Sequence, residues 1–141
     1  MITTPLHDEL INSVKSIAVE AGSAIMDVYH TDYDIHIKKD NSPVTEADKK
    51  ANAIISNKLK KLTPDIPILS EEGRNIPFSE RENWTSFWLI DPLDGTKEFI
   101  KKNDEFTVNI ALIENGKPIF GVVYAPALDV LYWGAVGEGA Y

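Results

Sequence analysis

Along the first thirty positions apolar residues recur at helical spacing. Leu6, Leu10, Val14, Ile17, Ala21, Ala24 and Val28 fall on one stripe, which predicts an amphipathic helix from about Leu6 to Tyr29. Ile35 and Ile37 alternate with polar neighbours in DIHIKK, the pattern of a short strand. In DNSPVTEAD a loop rich in turn residues ends at Thr45, the expected N-cap of a second helix through Leu62. TPDIP breaks that period, and IPIL predicts a short strand running directly into Ser70-Glu71-Glu72-Gly73. RNIPFSEREN is a polar connection, FWLI a buried strand and KEFIKKN a short helix. FTVNIALI, KPIFGVVYA and VLYWGAV are three β-rich runs, the first two joined by Asn115-Gly116, a strong short hairpin signal. Two helices followed by a mainly antiparallel sheet define an α+β layered domain.

Composition narrows the class. The 141 residues suit one domain with a sizeable core, and 43% apolar with 26% charged residues is a globular profile. No apolar run approaches the roughly 20 residues of a membrane helix, and MITTPLHDEL has neither the basic start nor the apolar core of a signal peptide. Without cysteine there is no disulfide framework or thiolate metal site. The expected location is the cytoplasm, including a peripheral position at its inner membrane. A net charge of −8 disfavours a nucleic-acid polymer as partner. Small anionic ligands stay compatible where bound cations reverse the local sign.

The densest chemistry lies in WLIDPLDGTKEF, Trp88 to Phe99. Asp91 is expected at the end of a strand, with Pro92 turning the chain so that the Leu93 carbonyl faces the same point as Asp91 and Asp94. Oxygen ligands of this kind suit a hard divalent cation such as Mg²⁺. Gly95 permits a backbone conformation that a side chain would hinder, and a helix beginning near Thr96 offers free N–H groups to a phosphate. Asp48 and the pair Glu71-Glu72 supply further carboxylates beside turns.

Each piece alone also has a structural reading. Asp-Pro-x-Asp-Gly is ordinary turn chemistry, and Asp94 serves equally as a helix N-cap. Asp48, three residues after Thr45, resembles a capping box. Glu71-Glu72 suits a solvated loop. The alternating acidic positions of an EF-hand are absent. His7, His30 and His36 stand away from these segments, and Lys101 and Lys102 suit a helix C-terminus.

Together, DNSPVTEAD, ILSEEG, WLIDPLDGTKEF and FTVNIALIENGKPIFGVVYAP resemble the N-terminal half of the metal-dependent, lithium-sensitive phosphatases of the inositol monophosphatase superfamily, and within it the 3'(2'),5'-bisphosphate nucleotidase branch. The likeness runs from the first helix to about Trp133. It implies the first half of a layered α/β/α/β sugar-phosphatase fold and two or three Mg²⁺ ions. Glu71, Asp91, the Leu93 carbonyl and Asp94 would be metal ligands, with Glu72 behind Glu71. Asp48 and Thr96, together with Glu71, would form the catalytic group, Asp48 and Thr96 orienting the attacking water. Asp94, Gly95, Thr96 and Lys97 would hold the phosphate. The implied substrate is adenosine 3',5'-bisphosphate, cleaved to AMP and phosphate in sulfur assimilation. A related inositol or sugar phosphatase and a non-catalytic metal-binding interaction domain are the alternatives.

The family pattern also includes a metal-binding aspartate in a Trp-Asp motif within a second domain. Here Trp84, Trp88 and Trp133 are followed by Thr, Leu and Gly. Residues 1–141 are therefore expected to be the N-terminal domain alone, impaired in activity, with an exposed sheet end open to homodimer formation.

Overall fold

The computed structural model describes residues 8–30, 43–70, 83–137 and 139–141. Among them α1 spans Asp8–Tyr29 and α2 spans Pro43–Leu62. Asp8 and Glu9 in the first turn of α1, and Lys60 and Lys61 in the last turn of α2, lie where the helix dipole favours their charges. Thr45 is not the N-cap expected from the sequence. The helix already opens at Pro43, whose fixed φ and missing N–H suit a first turn that leaves its N–H groups unbonded. The capping-box reading of Asp48 falls with it. The expected strand at Ile35 and Ile37 lies outside the described residues, as does nearly all of RNIPFSEREN.

The strands are β1 (Ile68–Ser70), β2 (Ser86–Asp94), β3 (Thr107–Glu114), β4 (Lys117–Ala125), β5 (Val130–Ala135) and β6 (Gly139–Ala140), with a short helix α3 (Thr96–Lys101) between β2 and β3. They form one sheet in the order β1-β2-β3-β4-β5-β6. Only β1 with β2 is a parallel pair, and every other pair is antiparallel. Asn115 (φ 52°) and Gly116 (φ 78°) both adopt positive φ between Glu114 and its partner Lys117, the two-residue hairpin that Asn-Gly favours. The sequence pattern missed β6, a two-residue strand that folds back on Gly134 and Ala135.

Both long helices cover one face of the sheet. Val14, Ala18, Ala21 and Ile25 of α1 and Ala47, Ala51, Ile55 and Leu59 of α2 are fully buried. They meet Trp88, Ile90, Val108, Ile110, Leu112, Phe120 and Val122, the inward positions of β2, β3 and β4. The period-2 alternation of those strands makes this face possible. Alanines on both helices let their backbones approach closely, and Gly22 lets Tyr124 lie flat on α1: a Cβ there would come within 2.5 Å of the tyrosine ring. Trp88 Nε1 donates to Thr63 Oγ1 at 2.9 Å, so the largest core side chain leaves no polar atom unpaired.

On the opposite face, Leu89 pairs with Ala111, Ala111 with Gly121 and Gly121 with Gly134. The small residues Ala111 and Gly121 of this row floor a shallow recess of about 270 Å³ lined also by Leu89, Asp91, Asn109 and Val123. Leu89 and Val123 are each 41% exposed. No helix among the described residues is long and apolar enough to cross a membrane.

Candidate metal and phosphate site

Strand β2 does not end at Asp91, and Pro92 does not turn the chain. The strand continues to Asp94 through a bulge. Asp91 pairs with Asn109 and Asp94 with Thr107, so β2 takes three steps where β3 takes two. The extra residue decides the chemistry. In a regular strand, residues three apart point to opposite faces; one inserted residue restores the parity and returns Asp91 and Asp94 to the same, outward face. Proline is tolerated here because the bulge has no ladder bond for it to break. Pro92 and Leu93 have no register partner on β3, and Leu93 is buried at 3% exposure.

Asp94 is exposed, and its Oδ2 accepts a hydrogen bond of 3.2 Å from Asn109 Nδ2. It is not the N-cap of the following helix. That position belongs to Gly95, at φ 97° and ψ 48°, with no side-chain cap. Gly95 must be glycine on two grounds. Its φ lies in the left-handed region, and a Cβ would meet Glu105 O at 3.0 Å and the Phe106 Cα at 3.2 Å. Thr96 and Lys97 stand exposed on the first turn of α3, while Phe99 anchors the helix in the core.

The turn behind Gly95 is itself held from α1. Lys102 (φ 58°) ends α3 and Asp104 (φ 70°) follows, both in the left-handed region. Tyr29 Oη donates to Asp104 Oδ1 at 2.6 Å and accepts from the Asp104 amide at 3.2 Å. Its ring packs at 5.3 Å from Phe99 and 4.8 Å from Phe106.

Asp48 reaches the same end of the sheet from α2. It is buried at 8% exposure and shares a helix face with Asn52 one turn on. Asn52 Oδ1 accepts from Ser70 Oγ at 2.6 Å, and Ser70 pairs with Ile90, the residue before Asp91. Hence α2, the carboxyl end of β1 and the acidic part of β2 converge. Glu71 and Glu72 lie outside the described residues. Among the described residues no three carboxylates or histidines gather into a ready-made ion cage. The paired Asp91 and Asp94 nonetheless offer the hard oxygen donors that Mg²⁺ prefers, on one face, beside a backbone cradle that a Cβ would fill. The donor set fits such an ion.

Sequence reasoning missed Asn109 and Asn52. The polar residue between Val108 and Ile110 in FTVNIALI marked an outward position, but its partner depends on cross-strand register. Away from the site, Tyr124 donates to Asp129 at 2.8 Å. Burial, followed by the hydrogen bond and the negative charge of Asp129, pushes its phenol up to about 12.

The described residues thus define an α+β domain whose bulged strand presents two same-face aspartates ahead of a glycine-capped helix. The chain belongs to the inositol monophosphatase family, whose profile matches residues 6–141. It is 54% identical over 131 residues to the 3'(2'),5'-bisphosphate nucleotidase CysQ of Escherichia coli O6:H1, covering 92% of this chain and 53% of that protein. The solved structure of CysQ from Bacteroides thetaiotaomicron superposes with a TM-score of 0.85 at 45% identity, over 92% of this chain and 46% of the other. Inositol monophosphatase-II of Staphylococcus aureus superposes with a TM-score of 0.79 at 31% identity, over 96% and 49%. The chain thus spans about half the length of the relatives it matches.

Proposed function

We propose that this chain is the N-terminal metal- and phosphate-binding domain of a Mg²⁺-dependent phosphomonoesterase that converts adenosine 3',5'-bisphosphate to AMP and phosphate. The observation that carries the reading is the bulge that returns Asp91 and Asp94 to one face immediately ahead of the Gly95 cradle. The nucleotide substrate is taken from the name of the 54%-identical relative.

In this reading Glu71, Asp91, the Leu93 carbonyl and Asp94 would hold two or three Mg²⁺ ions, with Glu72 supporting Glu71. Bound Mg²⁺ supplies charge neutralisation at the phosphoryl and leaving oxygens and a lowered pKa for the attacking water. The amides of Gly95 and Thr96 and the ammonium of Lys97 bind the phosphate. Asp48 and the Thr96 hydroxyl orient a water for in-line attack and draw off its proton. The new P–O bond forms as the bond to the ribose 3'-oxygen breaks, and that oxygen takes a proton from solvent water to leave as the 3'-hydroxyl of AMP. Neither histidine nor cysteine is needed as a nucleophile. A cytoplasmic location and a homodimer contact through the exposed sheet end belong to the same proposal.

The test is phosphate release from adenosine 3',5'-bisphosphate with Mg²⁺, with and without Li⁺. It is run on the 141-residue chain and on a chain extended to the length of its relatives. Lithium-sensitive turnover abolished by Asp91→Asn and by Thr96→Ala is expected, strongest in the extended chain. Full Mg²⁺-dependent turnover in either variant would sink the assignment. The likeness to the S. aureus inositol monophosphatase favours a second reading, an inositol or sugar phosphatase. Faster turnover of inositol monophosphate than of the nucleotide would establish it.

A further inference from the structure

We infer that Asn109 is a positioning residue for the candidate metal ligand Asp94, an inference that rests on the function proposed above. Asn109 stands directly across from Asp91 in the β2–β3 ladder and reaches diagonally to Asp94, with Nδ2 at 3.2 Å from Oδ2. One amide is therefore flanked by both aspartates of the bulged strand. Its orientation is set by chemistry: the reversed amide would place one oxygen against a carboxylate oxygen, which repels, so Nδ2 must face Asp94.

That orientation leaves a debt at the other end of the side chain. Asn109 Oδ1 is buried and, among the described residues, accepts no hydrogen bond. Its next neighbour across the ladder is Val123, which offers no side-chain donor. An unsatisfied buried carbonyl destabilises a fold by about 1–3 kcal/mol. If the position served packing alone, an apolar or β-branched residue would serve better, as Ala111 and Val123 do on the same face. An asparagine kept at this cost is explained by what its N–H group does. It occupies one oxygen of Asp94 and fixes the carboxylate plane, leaving the other oxygen directed for an ion. Hydrogen bonds to ligating carboxylates act in this way, and removing them typically weakens metal affinity by about 10–100-fold.

The experiment titrates Mn²⁺, as a probe for Mg²⁺, into the 141-residue chain and follows the free ion by electron paramagnetic resonance. Thermal unfolding without metal is recorded in parallel. Asn109→Leu, which keeps the γ-branched outline without the amide, is expected to weaken Mn²⁺ binding about 10–100-fold while Tm stays level or rises, because the orphaned carbonyl is gone. Asn109→Thr, with high strand propensity and a hydroxyl too short to span to Asp94, is expected to lose affinity equally and decides the matter if the leucine variant does not fold. Affinity within twofold of the parent in a folded variant overturns the inference and leaves the proposed function standing. Failure of both the unsubstituted chain and the chain extended to the length of its relatives to take up Mn²⁺ overturns both.

Discussion

Tyr29, at the last turn of α1, holds Asp104 through two hydrogen bonds, one to its carboxylate at 2.6 Å and one from its amide at 3.2 Å, across 75 residues of sequence. Through this clasp the first helix supports the turn on which Gly95 rests, since the Glu105 carbonyl and Phe106 Cα back the glycine. The candidate phosphate cradle and the N-terminal helix are therefore mechanically one unit.

Tyr29→Phe keeps the ring among Phe99 and Phe106 and removes only the clasp. Because Asp104 is exposed and water can replace the lost donor, the expected destabilisation is about 1 kcal/mol, read from the urea midpoint at constant m-value. A turnover assay should show a larger effect on KM for the phosphorylated substrate than this stability change implies.

Gly95→Ala is expected to cost more, about 2–3 kcal/mol, since it combines a left-handed φ of 97° with a backbone oxygen 3.0 Å from the new Cβ. Chemical denaturation gives the stability, and phosphate release gives the accompanying loss of activity. A variant as stable as the parent would show that the cradle can shift.

Gly22→Ala sets two effects against each other. Helix propensity favours alanine by about 1 kcal/mol, whereas overpacking typically costs about 1–3 kcal/mol. The clash wins here, because the ring 2.5 Å from the new Cβ belongs to Tyr124, which is buried and held by Asp129. Net destabilisation of about 1–2 kcal/mol is expected by denaturant titration. A double-mutant cycle with Tyr124→Ala should recover most of it.

Tyr124 also gives the fold an alkaline limit. Its folded pKa is raised to about 12, against about 10 in an unfolded chain. Over that interval the unfolded state releases the proton first, so stability falls as pH rises from about 10 to about 12 and the contribution is complete below 10. Melting curves across this range should show the decline, and Tyr124→Phe should flatten it.

The sequence pattern made the helices, the core stripe of α1 and the Asn115-Gly116 hairpin legible because each depends on local periodicity or turn chemistry. The error at Asp91 had a physical source. Asp-Pro and Asp-Gly are turn signals locally, but pairing with β3 at Asp91 and again at Asp94 keeps the chain extended through them as a bulge. Thr45 failed as a cap for a similar reason, since proline two residues earlier is just as good a start. Asn109 and the Tyr29 clasp were not legible at all, because register and long-range packing decide who meets whom. The recognisable four-segment pattern named the candidate ligands, whereas the parity argument that puts Asp91 and Asp94 on one face needed the ladder.

From β2 onward every strand pairs with its neighbour in sequence, but α1 buries its stripe partly against β3 and β4, some eighty positions downstream. During synthesis at roughly 5–20 residues per second, the helix therefore waits on the order of 4–16 seconds for that part of its cover. Among the described residues, α2 is the element packed most extensively against it that is made earlier. The ribosome must deliver the acidic strand before the helix that steadies the Gly95 turn can dock fully, so slow translation through residues 63–107 prolongs exposure of the helix's apolar stripe, and a chaperone that recognises such stripes has its opportunity in that interval.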